Sequence, residues 1–329
     1  MNRDLTPLPP PLTEPQPGTE PDGGRGTAAC AARRLFLRRA ALLAAGTAGG
    51  ALGLLARPAA LRAEDPLGGG GPVPIPQELG PEAAAAFAVR ALYWQPLPQL
   101  KVECTLCPRR CRVADRERGS CGVRENRGGV YYTLVHGRAV SANLDPIEKK
   151  PFFHVLPGSG SFSIATAGCN LECRFCQNWR ISQFRPEQVE AELLPPRRVH
   201  ELARRAKART IAYTYSEPTV FFEYMLDTAR LGQETGIRSV MVSSGYISLE
   251  PLRQLAPHLA AVKIDLKAFS DGFYKELCRG TLQPVLQALQ ELRRLGRWLE
   301  IVVLLVPSYN DSDKELKALC GWVRQELGP

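Results

Sequence analysis

From residue 161 to its C-terminus the chain alternates five times between a short, almost continuously apolar run and a longer amphipathic stretch. No other sequence feature narrows the fold as much. The apolar runs are 162–166, 210–215, 239–243, 261–266 and 298–306. The amphipathic stretches are 197–209, 220–235, 249–258, 284–295 and 313–327. Gly236 and Gly296 follow the second and fourth of these as left-handed helix stops. Strands apolar on both faces are buried on both faces, as in a parallel sheet covered by helices. With right-handed crossovers the expected architecture is α/β, an open or partial (β/α) barrel. Ligands of such folds sit at the carboxyl ends of the strands.

Cysteine spacing is the second constraint. Of ten Cys, seven fall in two groups: Cys104, Cys107, Cys111 and Cys121, then Cys169, Cys173 and Cys176. Cys30, Cys278 and Cys320 stand apart. With 329 residues, 44% of them apolar, the chain can bury its own core, so it has no need of a disulfide framework. The groups read as metal ligands. The second group, C-x3-C-x2-C, directly follows the first strand of the barrel. Soft thiolates suit an iron–sulfur cluster or zinc. A [4Fe–4S] cube normally takes four cysteines, so three leave one iron open. A zinc knuckle with a distant fourth ligand, or three buried thiols, are the competing readings. The first group offers four ligands within 18 residues, a closed site for structural zinc or a second Fe–S cluster, and the spacing does not separate the two.

Residues 1–30, rich in Pro, Gly, Thr and Glu, are expected to be disordered. Arg33-Arg34-Leu35-Phe36-Leu37-Arg38-Arg39 and the uncharged run 40–56 resemble a twin-arginine export signal. An Ala-rich helix with a basic end is the plainer alternative. Residues 1–63 are therefore set apart as disordered segment plus signal, and 64–80 as a Gly/Pro linker. Residues 81–160 form a small N-terminal Cys-rich module that opens with a helix and contains a strand at 130–135. Residues 161–329 are the barrel. The net charge is +9, of which residues 1–63 supply +4 (eight Arg against four acids). No basic run is interleaved with aromatics, which argues against a nucleic-acid partner.

The segment Gly168-Cys169-Asn170-Leu171-Glu172-Cys173-Arg174-Phe175-Cys176-Gln177-Asn178-Trp179 resembles the cluster loop of radical S-adenosylmethionine (SAM) enzymes. Within that superfamily it is most similar to the pyruvate formate-lyase activating enzyme group. Cys104-x2-Cys107-Pro108-x2-Cys111, Cys121 to Asn126, and Asp145 to Pro151 with His154 and Pro157-Gly158 resemble the radical SAM member of the AmmeMemoRadiSam system. The resemblance implies a radical SAM partial barrel over about residues 90–329. It implies a [4Fe–4S] cluster on Cys169, Cys173 and Cys176, with SAM on the open iron. It also implies reductive cleavage of SAM and hydrogen abstraction by the resulting 5′-deoxyadenosyl radical.

Site residues follow from the same resemblance. Glu217 would meet the SAM ammonium, with Ser216 capping the helix behind it. Ser244 and Gly245 would form a close backbone approach or a plain turn. Asp265 would face the ribose hydroxyls and Lys267 the SAM carboxylate, unless the two form a rim salt bridge. The turn through Pro307, Asn310 and Asp311 would close near the adenine. Phe175 would lie beside the adenine or serve the core. The implied partners are a one-electron donor such as ferredoxin or flavodoxin and a protein or peptide substrate. Activation of a glycyl-radical enzyme, or modification involving Memo-like and AmmeMemo proteins, would fit. The alternatives are an Fe–S electron-transfer or metal-binding protein without SAM chemistry, or a non-catalytic barrel. Location stays open between the envelope, from the signal, and the cytoplasm, from SAM chemistry. The chain stops at Leu327-Gly328-Pro329 where similar proteins continue into a sixth strand, so a truncated barrel is expected.

Overall fold

The structure, a computed structural model, describes residues 87–328. The expected disordered segment and export signal (1–63), the linker (64–80) and residues 81–86 lie outside the described residues.

The first described segment folds as strands, not as the expected helix. These are β1 (Val89–Arg90), β2 (Trp94–Leu97), β3 (Lys101–Cys104), β4 (Arg112–Val113), β5 (Arg124–Arg127) and β6 (Val130–Thr133). Proline explains the difference. Pro96 and Pro98 cannot donate into a helical ladder, and Pro96 sits instead on β2, the edge strand of the sheet β2-β3-β4. A second small sheet runs β1-β6-β5. Its β5–β6 hairpin turns at Gly128 and Gly129, both with positive φ (62° and 83°), as a tight primed turn demands. Then come β7 (Arg138–Ala139), β8 (Ser141–Pro146) and β9 (Gly160–Ala165). The rest alternates: α1 (Trp179–Ser182), β10 (Glu192–Leu193), α2 (Pro196–Arg205), β11 (Thr210–Tyr213), α3 (Phe222–Thr235), β12 (Arg238–Ser243), α4 (Leu249–Leu255), β13 (Ala261–Asp265), α5 (Asp271–Phe273), α6 (Gln283–Arg294), β14 (Trp298–Val302) and α7 (Asp313–Glu326).

The main sheet has the order β14-β13-β12-β11-β9-β8. Its five strands from β9 to β14 are parallel, in the order read from the sequence. Every residue of β11 is buried, as the continuous apolar run required. Gly236 takes φ 73° and stops α3. Helices cover one face. In α6 the buried positions Val285, Ala288, Leu289 and Leu292 recur at helical spacing and join Val262 and Ile264 in the main core. On the opposite face a small apolar cluster of Ile147, Phe152, Ala212, Val240 and Ala261 fills the sheet's concavity.

The sixth strand is β8, which pairs antiparallel to β9 from Ser141↔Ala165 to Pro146↔Gly160. Residues before 160 therefore contribute directly to the barrel sheet. Its polar alternation (Ser141, Asn143, Asp145) hides it from an apolar-run reading. The Asp145–Pro151 segment continues from β8 as a short turn. Asp145 there is held by Lys149 (2.8 Å), Lys150 (2.5 Å) and the hydroxyl of Tyr215. Lys150 lies 4.0 Å from the centre of the Tyr215 ring. Burial pushes the Asp145 carboxyl up, but hydrogen bonds from Lys149, Lys150 and Tyr215 outweigh it and hold the carboxyl well below the usual range.

Candidate active site

Parallel strands bring five loops to one end of the sheet. The loop after β9 carries Cys169, Cys173 and Cys176, all half-buried. It is pinned along its length. Gly168 N donates to Ile181 O (2.8 Å), Glu172 N to Cys278 O (2.9 Å) and Arg174 N to Leu277 O (2.9 Å). The Asn170 side chain donates to Tyr246 O (2.6 Å), and Gln183 donates to Leu171 O (3.0 Å). Leu171 N already points at Cys169 Sγ (3.4 Å), as an amide does toward a ligating thiolate. Burial, then the Glu217 charge, pushes the Cys169 thiol up. A hydrogen bond from Cys278 lowers Cys173, and Lys267 adds to the effect. Three soft donors on one braced loop, one of them already favouring the thiolate, fit an iron–sulfur group. Among the described residues no three His, Cys, Asp or Glu side chains converge as a single-ion site does.

Glu217 is 4% exposed at the end of the next strand. Its Oε1 accepts from Thr219 N (3.1 Å), Thr219 Oγ1 (2.8 Å) and Ser243 Oγ (2.6 Å). Its Oε2 accepts from Ser244 N (2.8 Å) and Ser244 Oγ (2.7 Å). Five donors fill the acceptor capacity of both oxygens, so this carboxylate ties the end of β11 to that of β12. The expected cap is corrected here. Glu217, not Ser216, caps the helical turn Pro218–Phe221, while Ser216 Oγ donates to Thr166 O (2.7 Å). The Pro at the first position of that turn leaves the Glu217 carboxylate to reach Thr219 N.

Ser244 and Gly245 follow β12. Gly245 has φ 73°, and a Cβ there would lie 3.1 Å from Ile264 and 3.2 Å from Val285, so core packing as well as the turn requires glycine. Asp265, at the end of β13, pairs with Lys263 and with Lys267 (3.1 Å). Burial opposes charge on both Asp265 and Lys267. Their mutual attraction outweighs it, leaving the carboxyl below and the ammonium above their usual ranges. The rim salt bridge is thus present in this structure. Asn310, almost fully buried, donates to Lys267 O (2.7 Å) and accepts from Val306 N (2.6 Å), so the Pro307–Asp311 turn is tied to the Lys267 loop. The Phe175 ring packs on Phe273 at 5.6 Å.

Four contributors were not read from the sequence. Cys278, isolated in the chain, is buried against Cys173. Asn178 donates to Tyr215 O (2.9 Å), linking the cluster loop to the second strand end. Asn170 links that loop to Tyr246, and Arg109 of the N-terminal module donates to Asn170 O (2.7 Å). Nothing in a single Cys or Asn announces such a long-range contact.

The first cysteine group is also gathered. Cys104 ends β3, Cys107 and Cys111 lie in the connection to β4, and Cys121 precedes β5. Burial pushes Cys107 up to about 12 and Cys121 up to about 11. A groove of about 720 Å³, bordered by both Cys121 and Cys169, separates part of this module from the cluster loop.

A six-stranded α/β sheet with three thiols on the loop after its first parallel strand defines a partial barrel built to carry a thiolate-bound cofactor at its strand ends. Residues 163–320 match the radical SAM superfamily. The uncharacterized protein MJ0808 of Methanocaldococcus jannaschii is 43% identical over 238 residues, covering 72% of this chain and 71% of that one. SuiB of Streptococcus suis bound to S-adenosylmethionine is 15% identical, with a TM-score of 0.39 over 48% of this chain; the match spans about a third (36%) of SuiB. QueE of Escherichia coli is 14% identical, with a TM-score of 0.40, over 56% of this chain and 76% of that one. The chain belongs to the radical SAM superfamily.

Proposed function

We propose that this chain is an enzyme that cleaves SAM at a [4Fe–4S] cluster on Cys169, Cys173 and Cys176 and acts on a protein or peptide. The carrying observation is the braced three-thiol loop at the carboxyl end of β9, facing four further polar strand ends. A reduced cluster bound there would supply the electron that breaks the C5′–S bond of SAM, and the carbon radical released would take hydrogen from the substrate. The chain's own residues then orient and shield. Lys267 presents an ammonium to a carboxylate, and Asp265 an acceptor to ribose hydroxyls. Glu217 holds Ser244 directly and Gly245 through Ser243 Oγ, and their backbone would line the bound nucleoside. Ser216 anchors the same loop to Thr166, and Phe175 closes the loop's apolar side.

In this reading the first four thiols supply a second metal site, and ferredoxin or flavodoxin supplies electrons. The activating-enzyme resemblance supports a protein or peptide substrate. The flanking motifs' resemblance to the radical SAM member of the AmmeMemoRadiSam system supports the Memo-like and AmmeMemo proteins as substrates or assembly partners.

The test is anaerobic incubation of the reconstituted protein with SAM and dithionite. Formation of 5′-deoxyadenosine supports the proposal. One observation favours a second reading: Cys278 stands beside Cys173 as a candidate fourth thiol, which would close the cube and make the protein an electron carrier. The two readings differ in the reduced cluster's EPR signal. In the enzyme SAM changes that signal, and Cys278→Ser leaves the change intact. A signal indifferent to SAM in the wild type, which becomes sensitive in Cys278→Ser, would establish the carrier.

A further inference from the structure

We infer that Tyr215 is a positioning residue for SAM, held in place by Asp145 and Lys150, an assignment that rests on the proposed SAM chemistry.

Tyr215 is the second residue beyond β11 and takes φ 66°. Gly245 is the second residue beyond β12 and takes φ 73°. Two neighbouring strand ends thus share a left-handed turn, one made by glycine and one by tyrosine. A bulky residue in that region is an outlier that its surroundings must hold. Glycine at 215 would make the turn without strain, so the phenol side chain does something the turn alone does not need.

The backbone around the turn is tied to the cluster side of the barrel. Thr214 N donates to Ile164 O (3.1 Å) on β9. Tyr215 O accepts from Asn178 Nδ2 (2.9 Å), just beyond Cys176. Ser216 Oγ donates to Thr166 O (2.7 Å), just before Cys169. Glu217, with its donors from Ser243 and Ser244, comes next. The conformation of residue 215 therefore sets how the ends of β9, β11 and β12 face one another, which is where SAM would lie.

The side chain fixes that conformation from the other direction. It crosses from the end of β11 past β9 to β8. There Tyr215 Oη donates to Asp145 Oδ2. Lys150 Nζ reaches the same oxygen at 2.5 Å and lies 4.0 Å from the centre of the Tyr215 ring. Lys149 Nζ donates to Asp145 Oδ1 (2.8 Å). Asp145 and Lys150 are buried, so water competes little for these bonds. A hydroxyl on a charged acceptor and a cation on the ring face together offset the cost of the left-handed turn. Without them the strand end relaxes, and SAM binds only the fraction still in place, so its apparent affinity falls by that fraction.

The experiment follows the reduced cluster's EPR signal against SAM concentration, and 5′-deoxyadenosine kinetics, in the reconstituted full chain. In Tyr215→Phe the SAM concentration for half-maximal EPR change should rise about tenfold, the weight of one hydrogen bond to a charged acceptor. KM for SAM should rise with it, and kcat should change much less. Tyr215→Gly makes the turn freely but has no anchor, and should show at least the same rise. Asp145→Leu/Lys150→Met, which removes the anchor from its other end, should show it too. In that background Tyr215→Phe should add less than about twofold. Wild-type SAM dependence in Tyr215→Phe, a fall in kcat with KM unchanged, or a full tenfold effect of Tyr215→Phe in the double variant would each overturn the inference. If Tyr215→Phe loses its fold or its iron, Tyr215→Gly and the double variant decide, and wild-type SAM dependence in either overturns it. A wild type whose signal ignores SAM and which forms no 5′-deoxyadenosine overturns the proposed activity and this role together. A wild type that responds to SAM alongside variants that respond equally overturns this role alone.

Discussion

Glu217→Gln isolates what the buried carboxylate does. The amide must place its NH2 where one of the two oxygens now sits. At Oε1 it would face Thr219 N–H at 3.1 Å, and at Oε2 it would face Ser244 N–H at 2.8 Å. The hydroxyls of Thr219, Ser243 and Ser244 can turn and accept, but a backbone N–H cannot. Either orientation therefore leaves one buried amide facing another donor, at about 1–3 kcal/mol. Loss of charge assistance in the remaining bonds adds about 1 kcal/mol. The expected loss is about 2–4 kcal/mol, a fall of about 1–2 M in the urea midpoint at a slope near 2 kcal/mol per M. SAM affinity should fall with it, because Ser244 and Gly245 lose their anchor. A Glu217→Gln variant within about 1 kcal/mol of wild type would refute the reasoning. The wild-type carboxylate would then be free of these donors and available to a ligand.

Arg124 and Glu223 are about 99% and 96% buried, form an ion pair at 2.9 Å, and join β5 to α3. Arg124→Ala should cost about 3–5 kcal/mol by urea unfolding, because Glu223 stays buried without its cation. Arg124→Met/Glu223→Leu should cost much less than the sum of the single losses, and strict additivity would show the pair uncoupled. Gly168→Ala forces a side chain into φ 94° with its Cβ 2.6 Å from Val123. A loss of about 2 kcal/mol or more is expected, and an unchanged melting temperature would count against the loop packing. The Asp145 carboxyl has a depressed folded pKa, so its stabilisation is complete above the unfolded value and is lost as pH falls toward the folded one. The wild-type urea midpoint should decline from about pH 5 downward, and more steeply than that of Asp145→Asn/Lys150→Met. Parallel pH profiles would contradict the assignment.

Some of this was written in local pattern. Runs such as 210–213 and 261–265 are apolar throughout because both their faces are buried, so a helix-covered parallel sheet and its strand order could be read from them. Three thiols at x3 and x2 spacing after the first such strand marked the candidate cofactor loop, because ligands on one loop must be close in sequence. Tertiary structure decided the rest. Strand β8 escaped because its alternation is polar, and only its pairing with β9 makes it the sixth strand. Prolines turned an expected helix into edge strands. Glu217 proved to be saturated by donors from Thr219, Ser243 and Ser244, and Cys278 proved to lie against Cys173. Spacing groups the first four thiols as ligand types, because ligands on neighbouring turns are close in sequence, whereas the neighbours that border them (Arg124, Tyr131 and Asn170) reach them only once the chain has closed.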